Sequence, residues 1–118
     1  MRGASRASLA DAKDRLGALA TRRSSASELA GELFAVVDVL DSQPAVRRAL
    51  ADAASSRSAR TGLAQALFGS RVSADTVELV SSVASSQWAE SADLADAIEQ
   101  LAVEALVAEA DRAGQLDD

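Results

Sequence analysis

ALFGSRVSADTVELVSSVASSQW, residues 66–88, is the stretch that decides the fold. Its apolar residues Val77, Leu79, Val80, Val83 and Ala84 recur with helical spacing and continue to Trp88, the chain's single tryptophan. Ser73 is a residue type that caps helix starts, and Asp75 two residues later suits the positive end of a helix. Upstream, Leu63, Leu67 and Phe68 end another helical pattern. Gly69 stands where a left-handed stop is expected, since glycine has no side chain to clash there. Two helices joined by a corner of a few residues are the basic unit of a helical bundle.

Working outward, the same pattern repeats. A first helix spans roughly 4–20, with Leu9, Ala12, Leu16 and Leu19 on one face. After the polar break TRRSSAS, Ser25 followed by Glu28 fits a capping box, in which each side chain satisfies an early amide donor of the other residue. A second helix carries Leu29, Leu33, Phe34, Val36, Val37 and Leu40 inward. Pro44 opens a short third helix, where its missing amide costs nothing, and Val46 and Leu50 face in. Ser55 and Ser56 interrupt the pattern, and a fourth helix runs roughly 58–68. The last and longest helix, about 92–113, buries Leu94, Ile98, Leu101, Ala105 and Ala108, and Gly114 is its expected stop. The expectation is an all-α domain over residues 1–118, a six-helix antiparallel bundle with short connecting turns.

Composition narrows the function. The chain lacks Cys, His and Tyr altogether, which removes thiol nucleophiles, imidazole bases and the usual zinc ligand sets. Its many serines have no general base beside them. Carboxylates three apart, Asp11 with Asp14 and Asp93 with Asp96, are read as solvated helix surface because nothing supplies a cleft to perturb them. Gly69–Ser70–Arg71 lacks the glycines and lysine of a phosphate loop, though Arg71 is placed to pair with a nearby carboxylate and fix an interhelical angle. No catalytic, cofactor-binding or metal-binding residues are expected, and the chain is not read as an enzyme.

The net charge of −6 is unevenly spread: residues 1–72 hold eleven Lys and Arg against seven acids, and residues 73–118 hold one, Arg112, against eleven. The arginines at 22–23, 47–48, 57 and 60 are read as solvent-facing, with their stems along the bundle. No basic stripe of the kind nucleic acid needs is present, so no nucleic-acid partner is expected. No apolar run approaches the ~18 residues of a membrane span, so direct membrane insertion is not expected and the isolated domain is expected to be soluble.

What remains is binding. The fifth helix is apolar on two sides, Val77, Val80 and Ala84 on one and Leu79 and Val83 on the other, whereas one buried face needs only one stripe. The first helix adds small residues, Ala4, Ala7, Ala10, Gly17 and Ala18, to its leucine face. Side by side, two such helices either leave a shallow apolar trough for a partner's amphipathic helix or have both sides filled by neighbours within the bundle. Trp88 either plugs the end of the bundle or rims that trough. The candidate partner-binding residues are Ala4, Ala7, Ala10, Ala18, Leu79, Val83 and Trp88.

The order QPAVRRAL, LAQALFGSRVSADTVELV, SSQW, SADLADAIEQLA and EADRAGQLDD resembles the N-terminal domain of the F-type ATP synthase delta subunit, the family of the mitochondrial oligomycin-sensitivity-conferring protein. The Ala-rich, Arg-over-Lys wording is most similar to its high-GC bacterial branch. The start departs from the family's aromatic Y-A-x-A-L wording, reading SRASL at Ser5 to Leu9. The resemblance implies a non-catalytic stator piece, at the cytoplasmic face of the bacterial plasma membrane as part of a peripheral complex. The N-terminal helix of an alpha subunit would bind in a groove between its first and fifth helices. It also implies that the b subunit is reached only through a C-terminal domain absent here, with GQLDD as the start of a connector. A helical adaptor or chaperone-like module, unrelated to ATP synthase, is the alternative reading.

Overall fold

A computed structural model describes residues 1–22 and 26–116. Six helices follow one another: α1 (Gly3–Arg22), α2 (Ala26–Ser42), α3 (Pro44–Leu50), α4 (Arg57–Phe68), α5 (Ala74–Ser85) and α6 (Ser91–Leu116). Among the described residues there is no strand, and the all-α bundle expected from the periodicity is what forms. The serine at the expected capping box, Ser25, lies outside the described residues.

The core is built on α6. Its inner face, Leu94, Ala97, Ile98, Leu101 and Ala102, is buried and packs chiefly against α2, with α1, α3 and α5 around it. The α2 residues Leu29, Leu33, Val36 and Leu40 meet it, and Leu50 closes the α3 end. Phe68 is the one aromatic in the deepest layer, so mostly aliphatic and alanine contacts hold the helices together. Ala108, expected inside, is only half-buried, because no described residue of α6 beyond Ala105 reaches the core.

Cross-links fix the helix directions. Ser5 bonds to Asp93 and Lys13 pairs with Glu104, so α1 and α6 run in the same sense. Ser8 bonds to Gln87 while Ala18 and Leu19 lie beside Leu79, so α1 and α5 run in opposite senses. Consecutive helices therefore do not simply alternate; one reversal is lost between α1 and α5, the part of the chain that contains the seven-residue α3.

Three local expectations need correction. Gly69 has φ −58° and ψ −30°, right-handed, and no described glycine has positive φ. The reason for glycine is steric: a Cβ there would stand 2.5 Å from the carbonyl oxygen of Gln65. Gly114 does not stop α6, which continues to Leu116. Ser73 occupies the N-cap position of α5 with extended backbone but makes no side-chain capping bond. Instead its own amide donates to the Glu32 carboxylate of α2, and its hydroxyl lies 3.3 Å from that of Thr76. Glu32, rather than Arg71, ties this corner to the bundle; Arg71 is exposed and joins none of the ion pairs found among the described residues.

Candidate helix-binding groove

On α5 the apolar residues divide by depth. Val80, Val83 and Ala84 are wholly inside, and Val77 is half-buried against the core. Most of the two-sided apolarity seen in the sequence is thus used within the bundle. Leu79 is different: it is buried, yet its edge lines an open cleft between α5 and α1.

That cleft has two parts. One, of about 160 Å³, is lined by Arg15, Ala18 and Leu19 of α1 and by Glu78, Leu79 and Ser82 of α5. The other, of about 300 Å³, is lined by Ala4, Ala7, Ser8 and Asp11 of α1, with Ser86 and Gln87 at the end of α5. From Ala4 to Leu19 is fifteen residues of helix, or about 22 Å, four turns of a docking segment. Between the two parts sits an exposed ion pair, Arg15 Nε to Asp11 Oδ2 at 3.2 Å.

Small side chains make the cleft. Ala4, Ala7 and Ala18 are exposed, and their methyl groups keep the α1 wall low. Three serines at the end of α5 turn their hydroxyls back onto the helix: Ser82 to the Leu79 carbonyl at 3.2 Å, Ser85 and Ser86 to that of Ser82 at 2.8 and 3.1 Å. Such back-bonding satisfies the hydroxyls locally, so the wall demands little polar pairing from an incoming helix.

The cleft's end is rigid. Ser5 is fully buried; its hydroxyl donates to Asp93 Oδ2 at 2.8 Å and accepts from the Ala89 amide at 2.7 Å. Ser8 donates to the Gln87 carbonyl at 2.6 Å. Trp88 is buried at 6% exposure, and its indole N–H donates to the Val83 carbonyl at 2.8 Å. The tryptophan therefore plugs the α5–α6 corner and satisfies a terminal carbonyl of α5.

Of the seven candidates, the structure brings Ala4, Ala7, Ala18 and Leu79 to the cleft. Ala10 is exposed and lines neither part. Val83 and Trp88 are core residues, whose side chains a docked partner would not touch in this conformation.

A buried arginine was missed. Arg60, expected in solvent, is 5% exposed and forms the α4 stripe with Ala64 and Phe68, four residues apart. Its Nε donates to the Ala84 carbonyl at 2.7 Å, Nη1 to the Asp52 carbonyl at 2.9 Å and to that of Ser55, and Nη2 to the Ser85 carbonyl at 3.3 Å. The planar fork thus holds the α3–α4 loop against the carbonyl end of α5, where the helix dipole favours a cation. The spacing 60, 64, 68 was the available signal; an arginine in it argued against burial.

Among the described residues no cluster of acidic side chains is placed to hold a metal ion, and no helix is long and apolar enough to cross a membrane.

No family model matches the chain. Individual relatives do, along its whole length. ATP synthase subunit delta of Streptomyces coelicolor is 45% identical over 119 residues, covering 100% of this chain and 43% of the relative. The Streptomyces griseus protein of the same name is 43% identical, covering 100% and 44%. That of Beutenbergia cavernae is 42% identical, covering 99% and 44%. The chain spans somewhat under half the length of these relatives, and they bear out the resemblance read from its sequence.

Proposed function

We propose that this chain, a member of the ATP synthase delta-subunit family, is a non-catalytic part of the stator, gripping the N-terminal helix of an alpha subunit in the cleft between α1 and α5. It is the single helical domain that meets the catalytic head, and the b subunit is reached through a separate C-terminal domain. The setting is the cytoplasmic face of the bacterial plasma membrane, within a peripheral complex.

The observation that carries this reading is the cleft itself: about four turns long, walled by alanines and back-bonded serines together with Asp11, Arg15 and Glu78, and floored by Leu79 and Leu19. A partner helix laid there supplies apolar side chains at i, i+3, i+4 and i+7 to sites that small residues leave open. Rotary catalysis loads the head with torque, and a stator must resist it without moving. The bonds from Ser5, Ser8 and Trp88 stiffen the end of the cleft that would bear such a load. Apolar seating also keeps its strength in salt, unlike surface ion pairs.

Titrating the protein with a peptide of the alpha N-terminus, followed by backbone NMR, tests this. One-to-one binding is expected, with shifts concentrated along residues 4–19 and 78–87. A folded protein that ignores the peptide, or shifts confined to α2 and α3, would overturn the reading in favour of a general helical adaptor.

A further inference from the structure

We infer that α6 carries a second docking face, distinct from the α1/α5 cleft, that takes a basic amphipathic helix of a protein partner. Val103, Leu106 and Val107 are 46%, 49% and 54% exposed, and Met1 is the other large apolar side chain so exposed among the described residues. They stand at i, i+3 and i+4 on one face of α6, and the exposed Ala110 continues the stripe at i+7. The opposite face at the same level, Leu101, Ala102 and Ala105, is fully buried. The exposed stripe is therefore not frayed core but a second apolar face. Large apolar side chains gathered this way on a soluble surface mark an interaction site.

The surroundings say what covers it. At its upstream end the stripe opens into a cleft of about 530 Å³ lined by Met1, Asp96, Glu99, Gln100, Val103 and Glu104. Asp96 and Glu99 are exposed and join none of the ion pairs found among the described residues, while Glu104 pairs with Lys13. Along its whole length α6 holds six acids against one base, Arg112. Two copies of α6 laid together would bring like charges into contact, which disfavours self-association. The stripe itself is short, about two helical turns from Val103 to Ala110. It matches the span over which a single amphipathic helix sets its anchors, and Lys or Arg beside those anchors would meet Asp96 and Glu99.

The test uses two 18-residue peptides of one helical leucine pattern, flanked by Lys in one and by Glu in the other, against the wild type and a Leu106→Ser, Val107→Ser variant. Both positions are exposed, so the variant keeps its helical circular dichroism. The Lys peptide is expected to bind the wild type, to bind the variant at least tenfold more weakly, and to weaken from about 50 to about 500 mM salt; the Glu peptide is expected not to bind. An Ala7→Glu variant, altered in the α1/α5 cleft, should bind the Lys peptide as the wild type does. The proposal is overturned by equal binding of both peptides, by an unaffected Leu106→Ser, Val107→Ser variant, or by loss of binding in Ala7→Glu, which would seat the peptide in the other cleft. Sedimentation showing a wild-type dimer that this double variant dissolves would also overturn it, naming a second copy as the occupant.

Discussion

The two flanks of α5 are tied down in different ways. Toward α4 the buried layer is filled by Phe68 and Ala64 beneath a surface cleft of about 400 Å³ lined by Gln65, Gly69, Ala74, Val77, Glu78 and Ser81. There the Arg60 guanidinium binds four backbone carbonyls, two of them at the end of α5. Toward α1 alanines and serines keep the walls low, and the only ion pair there among the described residues is an exposed one between Asp11 and Arg15. Both flanks keep a surface cleft, but among the described residues only toward α4 does a buried cation tie α5 to its neighbour. A helix held immovably on one side can present a cleft of fixed shape on the other.

Removing Arg60 should therefore have the largest effect on stability. Arg60→Met leaves the carbonyls of Ala84, Asp52, Ser55 and Ser85 without their donors, and should cost about 3–5 kcal/mol, the range for breaking a buried charged contact. Thermal unfolding should fall by roughly 10–20 °C for a domain of this size. Arg60→Lys should recover only part of this, because one ammonium cannot span the carbonyls that the fork reaches. If urea denaturation showed Arg60→Met losing less than about 1 kcal/mol, the arginine-tied flank would not be what fixes α5.

The corner between α4 and α5 comes next. Gly69→Ala places a methyl group 2.5 Å from the Gln65 carbonyl oxygen, a backbone atom that cannot step aside, and should cost about 1–2 kcal/mol. Gly62→Ala, two turns earlier in α4 and in open space, should instead stabilise by about 0.5–1 kcal/mol by raising helix propensity. Opposite signs from one type of substitution would separate a required glycine from a tolerated one. Matching signs would mean that the corner relaxes.

On the α1 flank, fold and binding should come apart. Ala18→Glu and Ala7→Glu fall on exposed positions and should change stability by no more than about 0.5 kcal/mol. Each should nonetheless weaken binding of the alpha-subunit peptide at least tenfold, by filling the cleft with a charge that must be desolvated. A variant that unfolds would show that the wall contributes to the core after all.

Much of this was legible in the sequence, and the failures share a cause. Helix number and order followed from apolar spacing most directly where a helix buries one strong stripe, as Leu29, Leu33, Val36 and Leu40 do in α2. Depth was less legible. Leu79 and Val83 are both apolar residues of α5, but only the packing of α1 leaves Leu79 at a cleft edge while Val83 is sealed. Trp88 was readable as a plug or a rim, and its bond to the Val83 carbonyl decides for the plug. Arg60 was misread because charge predicts exposure until enough backbone carbonyls converge on one site, and that convergence depends on the whole fold.

The smallest effect belongs to Lys13 and Glu104, and its size matters to the comparison. The pair links α1 to α6 at 3.4 Å, with the side chains 39% and 44% exposed. Water and salt screen such a pair, and ordering two long side chains offsets much of its attraction. A double-mutant cycle through Lys13→Ala and Glu104→Ala should give a coupling below about 0.5 kcal/mol. Arg60 and Lys13 carry the same charge, yet the first should matter several times more, because its partners are dry carbonyls whose loss water cannot make good. A coupling above about 1 kcal/mol would break the contrast, since α1 would then be held by charge. Peptide binding in the α1/α5 cleft would then also fall with rising salt.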